Sequence, residues 1–139
     1  MEHYHIVLAD SHDQFRKGIK GILEEETEME VVGETDSGLE IINLLCRLKP
    51  EMIIIDISMP NLRGIEIIRQ IKMICPEVKI LILTLHKDKE YISQAFSAGA
   101  DGYLVKENAG NELFTAIEKI VQGEVYVSPL NSRNLADDQ

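Results

Sequence analysis

The chain has 139 residues, 45% of them hydrophobic, which is one ordinary domain with enough apolar material for its own core. Its 24 acidic residues against 14 basic ones leave a formal net charge of −10, and there is no basic run; direct grip on nucleic acid or on an anionic membrane is excluded on that balance. No apolar stretch approaches the length of a membrane span, and MEHYHIV has neither a basic segment nor an apolar core of the secretory kind, so a cytoplasmic location is expected. Cys46 and Cys75 lack a CxxC spacing and read as a buried, reduced pair.

Taken in chain order, short continuous apolar runs alternate with stretches of helical spacing. The run Ile6–Ala9 predicts a first strand, and Phe15, Ile19, Ile22 and Leu23 recur at helical intervals after it. Met29–Gly33 predicts a second strand; Ile41, Leu44, Leu45 and Leu48 follow as a helix with Ser37 as its cap. Met52–Ile55 is the third run, followed by Ile67, Ile68, Ile71 and Ile74, with Pro76 as a stop. Val78–Leu83 is the fourth, before a weaker helical stretch over Tyr91–Ala98 that ends at Gly99. Gly102–Val105 is the fifth, before Leu113, Ile117, Ile120 and Val121. Runs that are apolar throughout suit strands covered on both faces, and the β-α alternation implies right-handed crossovers and a doubly wound parallel sheet. No second domain is visible. From Asn131 the chain is polar and reads as a linker or frayed tail.

Chemistry collects at the downstream ends of these strands. Asp10 ends the first, Asp56 the third (MIIIDISMP), Thr84 the fourth (KILILTLH) and Lys106 the fifth (GYLVKEN). In an open parallel sheet all strand carboxyl ends meet at one edge, where ligands bind at the reversal of strand order. Two carboxylates, a hydroxyl and an ammonium converging there suit a divalent cation and a phosphoryl group. Pro60 and Gly64 are expected to shape a turn over Asp56.

The stretches IVLADSHDQFRKGI, VVGETDSG, IIIDISMPNLRGIEIIRQIK, ILILTLH, AFSAGADGYLVKE and ELFTAIEKIVQGEVYVSP resemble the receiver domain of two-component response regulators, of the NarL/FixJ (LuxR-type) family. The resemblance covers residues 4–129. It implies a flavodoxin-like (βα)5 fold with strand order 2-1-3-4-5, a receiver domain over residues 1–129, and a linker or disordered tail over 130–139. It implies that Asp56 accepts a phosphoryl group from a sensor histidine kinase, with Thr84 and Lys106 on the phosphoryl oxygens. Mg²⁺ would be held by the acidic pair after the first strand, by Asp56 and by the backbone carbonyl of Ser58. Tyr103 would turn inward as Thr84 moves. The chain would catalyse only its own phosphotransfer and dephosphorylation. Phosphorylation would be read by release of an attached domain or by homodimerisation, through the face of the fourth helix, fifth strand and fifth helix or through the first and fifth helices. DNA would be bound only by a C-terminal domain absent from this chain, which reads as a receiver fragment or a single-domain regulator. Rim residues such as Ser58, Leu85 and His86 would set the phosphoryl lifetime.

One position departs from the family pattern. Two adjacent acids are normal after the first strand, and here they are Asp10 and Ser11; the replaced one would be the direct metal ligand. A unit charge pair at about 4 Å is worth roughly 4 kcal/mol at an effective dielectric of about 20, much of it cancelled by desolvation. Weak Mg²⁺ binding is expected. The alternative is an atypical receiver with a degenerate metal site, acting as a phosphorylation-independent dimerisation or partner-binding module.

Other chemistries fit less well. A haloacid-dehalogenase-like phosphatase needs a second acid two residues past the acceptor, where Ser58 stands. GETDSG (33–38) opens like a P-loop, but Leu39-Glu40 occupies the Lys-Ser/Thr positions. His3, His5, His12 and His86 have no zinc-type spacing; His12 and His86 are expected on the rim of the site.

Overall fold

The computed structural model describes residues 4–59, 62–85 and 89–128. The elements run β1 (Tyr4–Ala9), α1 (Asp13–Glu24), β2 (Met29–Thr35), α2 (Ile41–Leu48), β3 (Met52–Asp56), α3 (Ile65–Ile74), β4 (Lys79–Thr84), α4 (Lys89–Ala98), β5 (Gly102–Val105), α5 (Ala109–Val121) and β6 (Tyr126–Val127). The strands form one sheet in the order β2-β1-β3-β4-β5-β6, every pairing parallel. The expected flavodoxin-like order is present and is extended by β6. That strand is only two residues long, too short to leave a period in the sequence, and it exists by pairing Tyr126 and Val127 with Gly102 and Tyr103.

The alternation of side chains along each strand explains the continuous apolar runs. Ile53 and Ile55 of β3, with Ile80 and Ile82 of β4, join the core under α2, α3 and α4. Their neighbours Met52, Ile54, Leu81 and Leu83 join the opposite core under α1 and α5. Each residue of Met52–Ile55 and of Ile80–Leu83 is therefore buried on one side or the other, as central strands covered on both faces require.

Local details differ from the sequence expectations where tertiary contacts intervene. Ser37 caps a 3₁₀ turn over Gly38–Glu40, its hydroxyl accepting from the Leu39 N–H, and α2 starts only after that turn. Ile74 and Val121 share the helical apolar spacing but lie at helix ends past the edge of the sheet and are exposed. Cys46 is exposed and Cys75 half-buried rather than a buried pair; both are free thiols. Burial raises the Cys75 thiol, and its hydrogen bond with the neighbouring Cys46 thiol adds to that. Gly64 precedes α3 at φ 53°, ψ −124°, a conformation that β-carbon sterics deny other residues. Pro60, His3, His86 and the 130–139 tail lie outside the described residues.

Candidate phosphoacceptor and cation site

The order in which strands are added reverses at β1, with β2 on one side and β3-β4-β5 on the other, so the crevice of the sheet opens beside β1 and β3. Asp10 follows β1 directly and Asp56 is the last residue of β3. Asp56 pairs in register with Leu83, and Thr84 pairs with Val105, the residue before Lys106. The four strand-end residues thus share one edge, and all are buried: Asp10 is 3% exposed, Asp56 and Thr84 0% and Lys106 8%.

Two tight turns aim the carboxylates. The His12 N–H donates to Asp10 Oδ1 at 2.8 Å. The Ser58 N–H and hydroxyl both donate to Asp56 Oδ1, at 2.9 and 2.7 Å. Each acid thereby ties one oxygen to its own loop, an arrangement Asp adopts readily. The second oxygens face a common point. Lys106 Nζ occupies it, 2.8 Å from Asp10 Oδ2 and 2.9 Å from Asp56 Oδ2. Lys106 reaches there from the 3₁₀ turn after β5, its ammonium 4.6 Å from the centre of the Phe15 ring. His12 Nδ1 lies 2.9 Å from the same ammonium.

The electrostatics follow from these contacts. Burial by itself would raise the Asp56 carboxyl; the two hydrogen bonds from Ser58 and the Lys106 ammonium outweigh it and hold the carboxyl below its ordinary value. Burial also raises the Tyr91 phenol, with the Asp56 charge adding to it. Arg16 donates to the Asp10 carbonyl at 2.6 Å, while Asp13 and Glu34 take up its charge at 2.8 and 3.0 Å. Lys106 therefore faces two carboxylates, and one negative charge is left over in the cluster. Asp10 Oδ2 is also buried without a directed hydrogen bond, its Lys106 contact being an ion pair only. An oxygen donor set with a surplus charge, one of its buried carboxylate oxygens met by an ammonium without a directed hydrogen bond, fits a divalent cation, though with one acid fewer than two adjacent carboxylates would supply.

Tyr103 is fully buried, its ring in the core beneath α4. Ser11 is half-exposed at the rim, and Ser58 and Leu85 are exposed there. Sequence reasoning placed His12 on the rim but not against the ammonium, and it missed Arg16 and Phe15. Only a fold that lays the start of α1 beside the ends of β1, β2 and β5 could reveal those contacts.

A doubly wound parallel sheet with an acid–lysine cluster at its switch point defines the class. The chain belongs to the response regulator receiver domain family, whose profile matches residues 6–118. It is similar to the transcriptional regulatory protein DegU of Brevibacillus brevis, 38% identical over 94% of this chain and 55% of that protein. It is also similar to a nitrate/nitrite response regulator homologue of Haemophilus influenzae, 37% identical over 88% of this chain and 59% of that protein. The chain thus spans a little over half the length of these relatives. Among solved structures, a LuxR-family two-component response regulator from Aurantimonas sp. superposes with a TM-score of 0.90 at 31% identity, covering 99% of this chain and 98% of that one. The isolated receiver domain of RcsB from Salmonella enterica serovar Typhimurium, solved with the phosphomimetic BeF3−, gives 0.87 at 28% identity over 95% and 98% of the two chains. The chain is a receiver domain of the two-component response regulator type. No helix among the described residues is long and apolar enough to cross a membrane.

Proposed function

We propose that Asp56 accepts a phosphoryl group from the phosphohistidine of a sensor kinase and that this switches the domain. The observation that carries the reading is the Lys106 ammonium held between Asp10 and Asp56, beside a carboxylate kept ionised by Ser58. An Asp56 oxygen forms the new O–P bond while the P–N bond breaks and the kinase imidazole leaves with the electron pair. The charge gathered on the phosphoryl oxygens meets the Lys106 ammonium, and Thr84, buried at the end of β4, is placed to close on them. Mg²⁺, held by Asp10, Asp56 and the Ser58 carbonyl, would supply further charge neutralisation. Water attack at phosphorus breaks the O–P bond to Asp56, releasing inorganic phosphate and regenerating the carboxylate, so the domain turns over only its own phosphoryl group and no separate substrate.

The output is homodimerisation, through the α4-β5-α5 face or through α1 and α5, within a longer cytoplasmic transcription regulator that binds DNA by another domain. The support is that relatives are transcription regulators and that RcsB, a structural relative, is known in complex with DNA.

Incubation with acetyl phosphate and Mg²⁺, read by intact mass, tests the reading. Wild type gains one phosphoryl group and Asp56→Asn gains none. Ser11→Asp reaches the same uptake at roughly tenfold lower Mg²⁺, because it restores a direct ligand charge. Uptake by Ser11→Asp but not by wild type at any Mg²⁺ concentration would leave the phosphorylation-independent binding module in its place.

A further inference from the structure

The His12 side chain has no part in the phosphoryl chemistry set out above, yet it is aimed into the site. It stands directly before α1 and its side chain does not cap the helix. Although 61% of the side chain is exposed, Nδ1 points inward, 2.9 Å from Lys106 Nζ, 3.4 Å from Asp10 Oδ1 and 3.9 Å from Asp56 Oδ2. An ammonium can only donate, so Nδ1 presents its lone pair and the ring proton belongs on Nε2. Three acceptors therefore converge on one cationic centre: Asp10 Oδ2, Asp56 Oδ2 and His12 Nδ1, at 2.8, 2.9 and 2.9 Å. One ligand atom from each of these residues lies within 4.8 Å of the others. Burial adds to this: Asp10 is 3% exposed, and its Oδ2 is held by the Lys106 ion pair with no directed hydrogen bond, so what it meets there is a cation.

We propose that His12 is a protein metal ligand in this chain, substituting for the acid absent at Ser11, and that it turns the site toward divalent transition-metal ions such as Mn²⁺, Co²⁺ and Zn²⁺ over Mg²⁺. The inference rests on the cation site of the receiver reading and concerns which ion that site takes. Mg²⁺ favours oxygen ligands and sheds water reluctantly, so a site with two carboxylates and an imidazole holds it poorly. Imidazole suits later divalent ions, and its neutral nitrogen adds a ligand without adding to the charge that must be desolvated. The sequence brings Asp10 and Asp56 to one sheet edge but does not show His12 as their partner, because the direction of its imidazole is set by the turn after β1 and by Lys106, and the three residues follow no metal-binding spacing.

The test is titration of the unphosphorylated chain with Mn²⁺ alone. The electron paramagnetic resonance signal of free Mn²⁺ reports affinity, the electron spin echo of bound Mn²⁺ reports a nitrogen ligand, and Mg²⁺ competition gives the preference. Wild type is expected to show nitrogen modulation and to bind Mn²⁺ at least about tenfold tighter than Mg²⁺. His12→Ala and His12→Gln lose the modulation and about tenfold in Mn²⁺ affinity, with Mg²⁺ affinity changed less than about twofold. His5→Ala, at the exposed His5–Glu30–Glu51 group on the far end of β1, keeps both. Wild type without nitrogen modulation, modulation that survives both His12 variants, or equal losses for the two metals overturns the proposal. Phosphoryl uptake measured on the same samples separates the two claims. Uptake without nitrogen modulation leaves the receiver reading and removes the His12 ligand. Modulation without uptake under any metal does the reverse.

Discussion

Asp56 keeps its charge at a place where burial alone would neutralise it. Two donors from Ser58 and one from Lys106 stabilise the ionised form, so the folded state binds the Asp56 proton less tightly than the unfolded chain does. A depressed folded-state pKa contributes stability in full above the unfolded value of about 3.9 and loses it as pH falls through the lower folded value. Asp56→Asn removes that titration. Urea unfolding from neutral pH down to about pH 3 is expected to show wild type losing stability more steeply than Asp56→Asn below about pH 4, with parallel curves above it. Curves parallel throughout would mean that Ser58 and Lys106 do not favour the charged form. Ser58 thus has two effects at one residue: its side chain and N–H hold the acceptor ionised and fix which carboxylate oxygen faces Lys106.

Among the elements, β6 shows how much a two-residue strand owes to its neighbours. Its backbone continues the sheet through Tyr126 N–H to the Asp101 carbonyl and Ser128 N–H to the Tyr103 carbonyl, at 3.1 and 3.0 Å. Glu112 of α5 holds it from the side, accepting from the Tyr126 hydroxyl at 3.0 Å and the Ser128 hydroxyl at 3.1 Å. Burial and the hydrogen bond to Glu112 push the Tyr126 phenol up to about 12. Hydrogen bonds to a charged acceptor contribute roughly 1.5–3 kcal/mol each when well formed, less where solvent reaches them. Glu112→Ala is therefore expected to speed amide exchange at Ser128 roughly tenfold or more, with exchange in β3 and β4 unchanged. Unchanged exchange at Ser128 would mean that backbone pairing alone holds β6. The strand matters because it flanks β5, which carries Tyr103 and leads into Lys106.

At the scale of the whole molecule, two apolar cores share one sheet. Consecutive β3 residues belong to opposite cores, so neither core survives without the strands of the other. Unfolding is expected to be one cooperative transition, with far-ultraviolet circular dichroism and tyrosine fluorescence coinciding on a urea titration. Separated midpoints would show that the α1/α5 side and the α2–α4 side melt independently. The net charge of −10 belongs to this scale too. It opposes direct DNA contact by these residues while leaving the strand-end edge attractive to cations.

Five continuous apolar runs alternating with helical periods were enough to specify a doubly wound sheet, because burial on both faces removes the alternation that a half-exposed strand would show. The same runs placed Asp10, Asp56, Thr84 and Lys106 at strand ends, and parallel strands bring their ends to one edge. The departure at Ser11 was equally legible, since it is a residue missing from an adjacent pair. Only the tertiary structure decided which carboxylate oxygens turn inward, because that depends on the turns at His12 and Ser58. It also decided that β6 closes the sheet and that His12 faces the ammonium. The two turns are local, but the β6 pairing and the contacts of Lys106 join residues dozens of positions apart, and their energies come from distances of about 3 Å that no local pattern encodes.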